Sequence, residues 1–203
     1  TAVMRYPRFR FRPGQADALH VDLWVDGVNL LRDAGTYSYN APAVPDGDFG
    51  STACHNSVTF DGADQMPRLG RFLFGDWIAA ERVSTVRVSD RGEAASAGYV
   101  DARGNRHWRR LALGESGFSC TDELEGGFGE AVLRWRLPRR DWKLVVHRLT
   151  GDGLALDIAI DGAEAHLALV PGREARDYHH MGAVDVLEVR VEKPCIITTT
   201  GYF

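Results

Sequence analysis

LHVDLWVDGVNLL, Leu19 to Leu31, is the stretch that decides the fold class. Leu19, Val21, Leu23 and Val25 alternate with His20, Asp22, Trp24 and Asp26, the period of two that marks a strand with one apolar face. Asp26-Gly27 accommodates the positive φ of a type I′ turn, so the chain doubles back through Val28 to Leu31 as a hairpin. The same pattern repeats along the chain. Strand-like runs follow at Ser57 to Phe60, Arg71 to Trp77, Val83 to Val88, Gly98 to Asp101, His107 to Leu113, Phe118 to Leu124, Ala131 to Leu137, Trp142 to Leu149, Leu154 to Ile160, Glu164 to Val170, Val184 to Val191 and Ile196 to Thr200. Turn chemistry separates them at Asp61-Gly62, Arg103-Gly104-Asn105, Gly126-Gly127, Gly151-Asp152-Gly153 and Asp161-Gly162. Many short strands without an amphipathic helix longer than two turns predict an all-β protein with little helix: a two-layer antiparallel β-sandwich, of supersandwich or jelly-roll-like form.

The 203 residues suit one domain, 1–203, with a well-buried core. With 24 Lys+Arg against 28 Asp+Glu, the net charge of −4 offers no field that would gather nucleic acid or anionic lipid. No apolar run reaches the ~18 residues of a membrane span. Nucleic-acid and membrane partners are therefore not expected. The three cysteines, Cys54, Cys120 and Cys195, lack metal-ribbon spacing and read as small buried hydrophobes, with Cys54 set apart by its neighbour His55. The opening Thr1-Ala2-Val3-Met4 is not a signal peptide, and so abrupt a start suggests a piece of something longer.

Chemistry concentrates between Asp17 and Gln65. Asp33, Tyr37, Tyr39, His55 and Asn56 are more polar than packing in a β-rich region requires. The loop Asn40 to Gly50, with Pro42, Pro45 and Gly47, lies between Asp33 and His55, and loops of that length tend to be functional or mobile. The carboxylate of Asp33 and the imidazole of His55 suit a borderline metal such as zinc. They would equally serve as hydrogen-bonding partners that fix the loop, Asp33 through an Asx-type turn. Nucleophilic Ser/His/Asp catalysis has no G-x-S-x-G to support it. His179-His180 would point to opposite faces of an extended chain and reads as solvated loop. The cluster Arg103, Arg106, Arg109 and Arg110, with His107 and Trp108, reads as a charged outer strand face, the alternative being a sugar or polyanion groove.

ADAL-x-x-x-LW-x-x-G-x-x-LL-x-D-x-GTYSYN, followed by ST-x-x-HN-x-V-x-x-DG-x-DQ, resembles the β-sandwich domain of heparinase II/III-like polysaccharide lyases. The likeness continues through GRFLFGDW, GYVDARGNRHWRRL and LRWRL, over roughly Gln15 to Leu137. The resemblance implies a parent that is bacterial and periplasmic or secreted, with an N-terminal (α/α) toroid domain upstream of this one. It implies cleavage of uronate-containing polysaccharides such as glycosaminoglycans by β-elimination in a cleft between the two domains. Acidic polysaccharide and the toroid are then the expected partners. The family draws its tyrosine acid and several carboxylate-neutralising groups from the toroid, so the isolated domain is expected to be inactive. Tyr37, Tyr39, His55 and Asn56 are the sandwich residues expected nearest the cleft. The family's structural metal, usually zinc, is held by His, Asp and His. Asp33 and His55 match two of these, and Gln15, a poor zinc ligand, stands at the third. Pro13 stands where some members carry a further active-site His, and Asp48 where the family often has Tyr. The alternative is a carbohydrate-binding or structural module that does not catalyse.

Overall fold

The computed structural model describes residues 1–40, 49–70, 72–90 and 92–203. Asp48 and most of the Asn40 to Gly50 loop lie outside the described residues. Seventeen strands follow one another among the described residues: β1 (Ala2–Met4), β2 (Val21–Val25), β3 (Val28–Leu31), β4 (Val58–Phe60), β5 (Arg68–Gly70), β6 (Leu73–Phe74), β7 (Glu81–Ser89), β8 (Gly92–Val100) and β9 (Arg106–Leu113) come first. The second half runs through β10 (Gly117–Glu125), β11 (Ala131–Pro138), β12 (Lys143–Val145), β13 (Arg148–Gly151), β14 (Leu154–Asp161), β15 (Ala165–Asp177), β16 (His180–Val191) and β17 (Cys195–Tyr202). The only helical element among the described residues is a 3-10 turn, Thr52–Cys54. No helix is long and apolar enough to cross a membrane among those residues.

Two sheets make the sandwich. An eight-stranded sheet has the order β12-β13-β14-β17-β10-β9-β8-β7, and a four-stranded sheet the order β15-β16-β11-β4, every pairing antiparallel. Alternation explains how they meet. Phe118, Cys120 and Leu124 of β10 and Leu156 and Ile158 of β14 share one core with Leu133, Trp135 and Leu137 of β11 and Leu187, Val189 and Val191 of β16. Each such side chain contributes roughly 1.5–3 kcal/mol by leaving water. Trp135 spans the layers: its ring meets Phe118 edge-on at 6.3 Å, and its Nε1 donates to Thr199 Oγ1 of β17 at 3.0 Å. That bond satisfies an indole N–H which burial would otherwise strand.

The hairpin of Leu19 to Leu31 is present as β2–β3, with Asp26 at φ 47° and Gly27 at φ 79°. With β1 it makes a three-stranded sheet joined to the larger four-stranded one, where Arg32 N–H donates to the Arg136 carbonyl of β11. At the far edge of the eight-stranded sheet, β7 is solvent-exposed along nearly all its length and meets β8 with two register shifts.

Three expectations change. Arg71 lies outside the described residues and the rest of the run to Trp77 contracts to the two residues of β6, while Trp142 to Leu149 is broken at Val146, φ 52°, into β12 and β13. The basic cluster is not an outer face throughout. On β9 the alternation turns Arg106 and Arg110 outward but buries His107 and Arg109 completely, because Asp122 on the adjacent strand supplies a buried counter-charge.

Candidate metal centre

Three segments of the first sixty residues converge. His20 stands at the entrance to β2, Asp33 follows β3, and His55 closes the 3-10 turn that leads into β4. Each position has a local cause. Leu19 adopts φ 62°, while the Leu19 amide bonds the Arg5 carbonyl and the Arg5 amide bonds that of His20, so the chain turns His20 inward before the strand begins. Asp33 makes the Asx turn its sequence suggests, its Oδ1 accepting the Gly35 N–H at 2.7 Å. Gly35 sits at φ +77° where any Cβ would collide with the Ala175 carbonyl, so only glycine lets this turn pack against β15.

One nitrogen from each imidazole and one Asp33 oxygen lie within 4.8 Å of one another. Asp33 Oδ2 is 3.6 Å from His55 Nδ1 and 3.8 Å from His20 Nε2. Those gaps exceed a hydrogen bond and are slightly wider than the roughly 3.3–3.5 Å expected between two ligands on one tetrahedral zinc. Both histidines are fully buried, and His20 Nε2, His55 Nδ1 and His55 Nε2 have no hydrogen-bond partner. Buried orphan nitrogens aimed at a carboxylate are what a cation would satisfy.

The charges agree. Arg5 Nη1 bonds Asp17 Oδ2 at 2.7 Å and Asp33 Oδ2 at 3.1 Å, and Asp22 Oδ2 lies 3.4 Å from His20 Nε2. Three carboxylates against one guanidinium leave an excess of negative charge when the imidazoles are in the neutral form that metal binding requires. Burial alone would raise the Asp33 carboxyl, but the contacts with His55, then His20, and the Gly35 N–H hold it well below the ordinary carboxylate range. Burial lowers His20, against the opposing pull of Asp22. The donor set fits a single borderline cation at Asp33 and His55, with His20 reaching the same point. One condition attaches to His20. Its Nδ1 accepts the Asn56 N–H at 2.9 Å, which places the neutral ring's proton on Nε2, so coordination through Nε2 requires that bond to be given up.

Of the residues singled out in the sequence, Asp33 and His55 meet, while the third member of the cluster is His20; Gln15, half-buried, is not in it. Asn56 is buried behind the centre as a cross-link. Its Nδ2 donates to the carbonyls of Val21 (2.8 Å) and Arg32 (3.3 Å), its Oδ1 accepts the Arg136 N–H (2.6 Å), and its carbonyl accepts from Arg109 Nη1 (2.6 Å). The two tyrosines go elsewhere, to an aromatic cluster on the β15–β16 turn. Tyr37 meets His179 edge-on at 5.3 Å, and Tyr39, 60% exposed, stacks on Tyr178, 51% exposed, at 5.9 Å. His179 and His180 are exposed at that turn.

Sequence reasoning missed His20 and the buried ion cluster behind it. Arg109 Nε and His107 Nε2 both lie 2.6 Å from Asp122 Oδ1, and Arg109 Nη1 bonds the carbonyls of Leu19 and Asn56. The available signal was His20 and Asp22 on the polar face of one hairpin strand with Asp33 just past its partner. Such a face carries more acid and imidazole than a solvated strand needs.

The family model described as heparinase II/III-like, C-terminal, matches residues 5–183. Among solved structures, a heparinase III with methylated lysines superposes with a TM-score of 0.79 at 17% identity, covering 99% of this chain and 32% of its own. The heparan sulfate lyase HepC from Pedobacter heparinus gives a TM-score of 0.72 at 17% identity, covering 93% and 31%. The chain thus spans about a third of the length of these lyases. No curated protein sequence matches it.

Proposed function

Because the chain belongs to the heparinase II/III-like, C-terminal family, we propose that it is the β-sandwich domain of a polysaccharide lyase that cuts uronate-containing chains by β-elimination. The family match over residues 5–183 carries this reading, since it takes in both the D-x-GTYSYN and the HN segments. β-Elimination must neutralise the uronate carboxylate, remove the C5 proton and protonate the departing O4. This domain supplies one wall of the cleft. Tyr39, exposed and stacked on Tyr178, is the group best placed to meet a sugar face, with Tyr37 bracing the same turn through His179. His55 and Asn56 are buried, so their part is to hold that wall rather than to exchange protons with substrate. A partner domain, the N-terminal toroid, has to bring the acid and most of the neutralising groups, which leaves the sandwich inactive by itself.

Asp33 and His55, with His20 in place of Gln15, would hold a zinc ion. Such an ion would supply a structural clamp between the β2–β3 hairpin and the segment entering β4. Metal analysis of the purified chain should find about one zinc per molecule, removable by chelator with a fall in melting temperature. A metal-free protein whose melting ignores both zinc and chelator would remove the ion from this account.

The lyase reading is tested by incubating the full-length parent and the 203-residue domain with heparan sulfate, hyaluronan, alginate and bacterial exopolysaccharides while following ultraviolet absorbance of the unsaturated product. The parent should generate product on at least one of them and the domain on none. A second reading, sugar binding without cleavage, is favoured by Pro13 standing where some members of the family carry an active-site histidine. Binding by the full-length parent with no absorbance rise on any polymer would establish it instead.

A further inference from the structure

Of Arg32, Arg109, Arg134 and Arg136, all wholly or partly buried, the first three are paired with carboxylates. Arg109 bonds Asp122 at 2.6 Å, Arg32 Nη1 bonds Glu174 at 2.8 Å, and Arg134 Nε bonds Glu188 at 2.9 Å. Arg136, only 3% exposed, is the exception. Its Nη2 donates to the Arg173 carbonyl, its Nε has no partner, and no carboxylate among the described residues lies within ion-pair distance of it. An arginine does not shed its proton, and Asp33 and Glu174 attract this one only from beyond ion-pair distance, so among the described residues it is left able to receive an anion from outside.

There is room for one. Arg136 lines an open groove of about 450 Å³, within the size range of ligand sites, together with Cys54, Arg134, Gly172, Val186 and Glu188. The missing side chain at Gly172 keeps the approach clear: a Cβ there would lie 2.7 Å from Val186 Cγ2 and 3.9 Å from Arg136 Nη1. Arg136 is held rigidly from behind, its own N–H bonded to Asn56 Oδ1 at 2.6 Å and its carbonyl taking the Arg32 N–H. A planar fork preorganised in this way matches an oxyanion.

We propose that this groove is an oxyanion subsite in which Arg136 receives the carboxylate or sulfate of an acidic saccharide, with Arg134 as the second cation. The proposal rests on the acidic-polysaccharide reading above for the identity of the saccharide, while the groove and its unpaired cation stand on geometry. Glu188 sets its strength. That carboxylate engages Arg134 through Oε1 and Arg190 through Oε2 at 2.6 Å, and so repels an incoming anion.

Cys54 provides the probe, because it is a half-buried thiol on the groove wall while Cys120 and Cys195 are buried. Alkylation of the 203-residue chain by iodoacetamide is followed by peptide mass spectrometry at matched ionic strength, alongside calorimetric binding. The ligands are a heparan sulfate tetrasaccharide, sodium glucuronate, sodium sulfate and neutral cellotetraose. The tetrasaccharide should bind and slow Cys54 alkylation while cellotetraose does neither. Glucuronate or sulfate, whichever protects more, names the group bound. Arg136→Gln should weaken binding by about tenfold or more, the loss expected on deleting a charge-assisted hydrogen-bond donor, and Glu188→Gln should tighten it. Should Arg136→Gln fail to melt cooperatively, Arg136→Lys, which keeps the charge and loses Nε, and Glu188→Gln decide the matter. Tetrasaccharide binding that is equal in wild type and these variants, with Cys54 unprotected, would overturn the subsite and leave the lyase reading standing. Protection by sulfate or glucuronate with no affinity for the tetrasaccharide would overturn the saccharide as ligand, whereas the lyase reading falls only if the full-length parent yields no unsaturated product.

Discussion

His20 carries two incompatible roles, and the two amide substitutions separate them. Gln can place its Oε1 near the Nε2 position, whereas Asn places Oδ1 near Nδ1 and preserves the acceptor for the Asn56 N–H. If the ring is a ligand, His20→Gln should retain more zinc than His20→Asn in metal titration. The reverse order, with His20→Asn melting like wild type, would make it a structural acceptor only. Behind it, Asp122 is the only carboxylate among the described residues paired with Arg109. Burial would raise Asp122, but Arg109 first and then His107 hold it at about 2. Asp122→Asn strands a fully buried guanidinium and should cost about 3–5 kcal/mol in urea unfolding. Retention of wild-type stability would mean the cluster is not closed as described.

Several elements meet at Asn56. Its amide ties the edge of β2 at Val21, the end of β3 at Arg32 and the amide of Arg136 in β11. Asn56→Ala removes the partner of one buried N–H, that of Arg136, and of two carbonyls, those of Val21 and Arg32. It should therefore destabilise by at least about 3 kcal/mol, at about 1–3 kcal/mol for each of the three groups, with hydrogen exchange accelerated first in β2 and β3. Uniform acceleration across both sheets would deny Asn56 its local role. The β2–β3 hairpin was legible because alternation and Asp26-Gly27 act within a few residues. The break at Val146 was not, since a β-branched residue at φ 52° is imposed by packing and carries no turn signature. The convergence of Asp33 and His55 was legible from their polarity in a β-rich stretch. His20 was hidden in a regular alternation, because its burial depends on a backbone reversal at Leu19 that bonds to Arg5. Arg109 was misjudged for the same reason, as its counter-charge lies on another strand.

For the molecule as a whole, the buried groups fix how stability responds to acid. His107 is lowered by burial, against Asp122, so it stays neutral in the fold while an unfolded chain takes up its proton near pH 6.5. Asp122 is lowered to about 2 against roughly 3.9 when unfolded. Both shifts have the same sign: the unfolded state binds more protons, so stability is intact above about pH 6.5, declines below it through His107, and falls further between about pH 4 and pH 2 through Asp122. Urea midpoints across that range should trace the decline, and in His107→Gln the portion that begins near pH 6.5 should be smaller. A midpoint flat from pH 7 to 3 would contradict these assignments. The bare strand at the margin of the large sheet has a bearing on handling the protein. β7 shows Val83, Val86 and Val88 to water and has no further strand beside it among the described residues, so this margin is a template on which another extended chain can grow. Its two register shifts, with Arg82 and Arg87 beside the valines, bend and charge that margin enough to discourage self-addition. Replacing those arginines by apolar residues would turn a soluble preparation into one that aggregates with concentration.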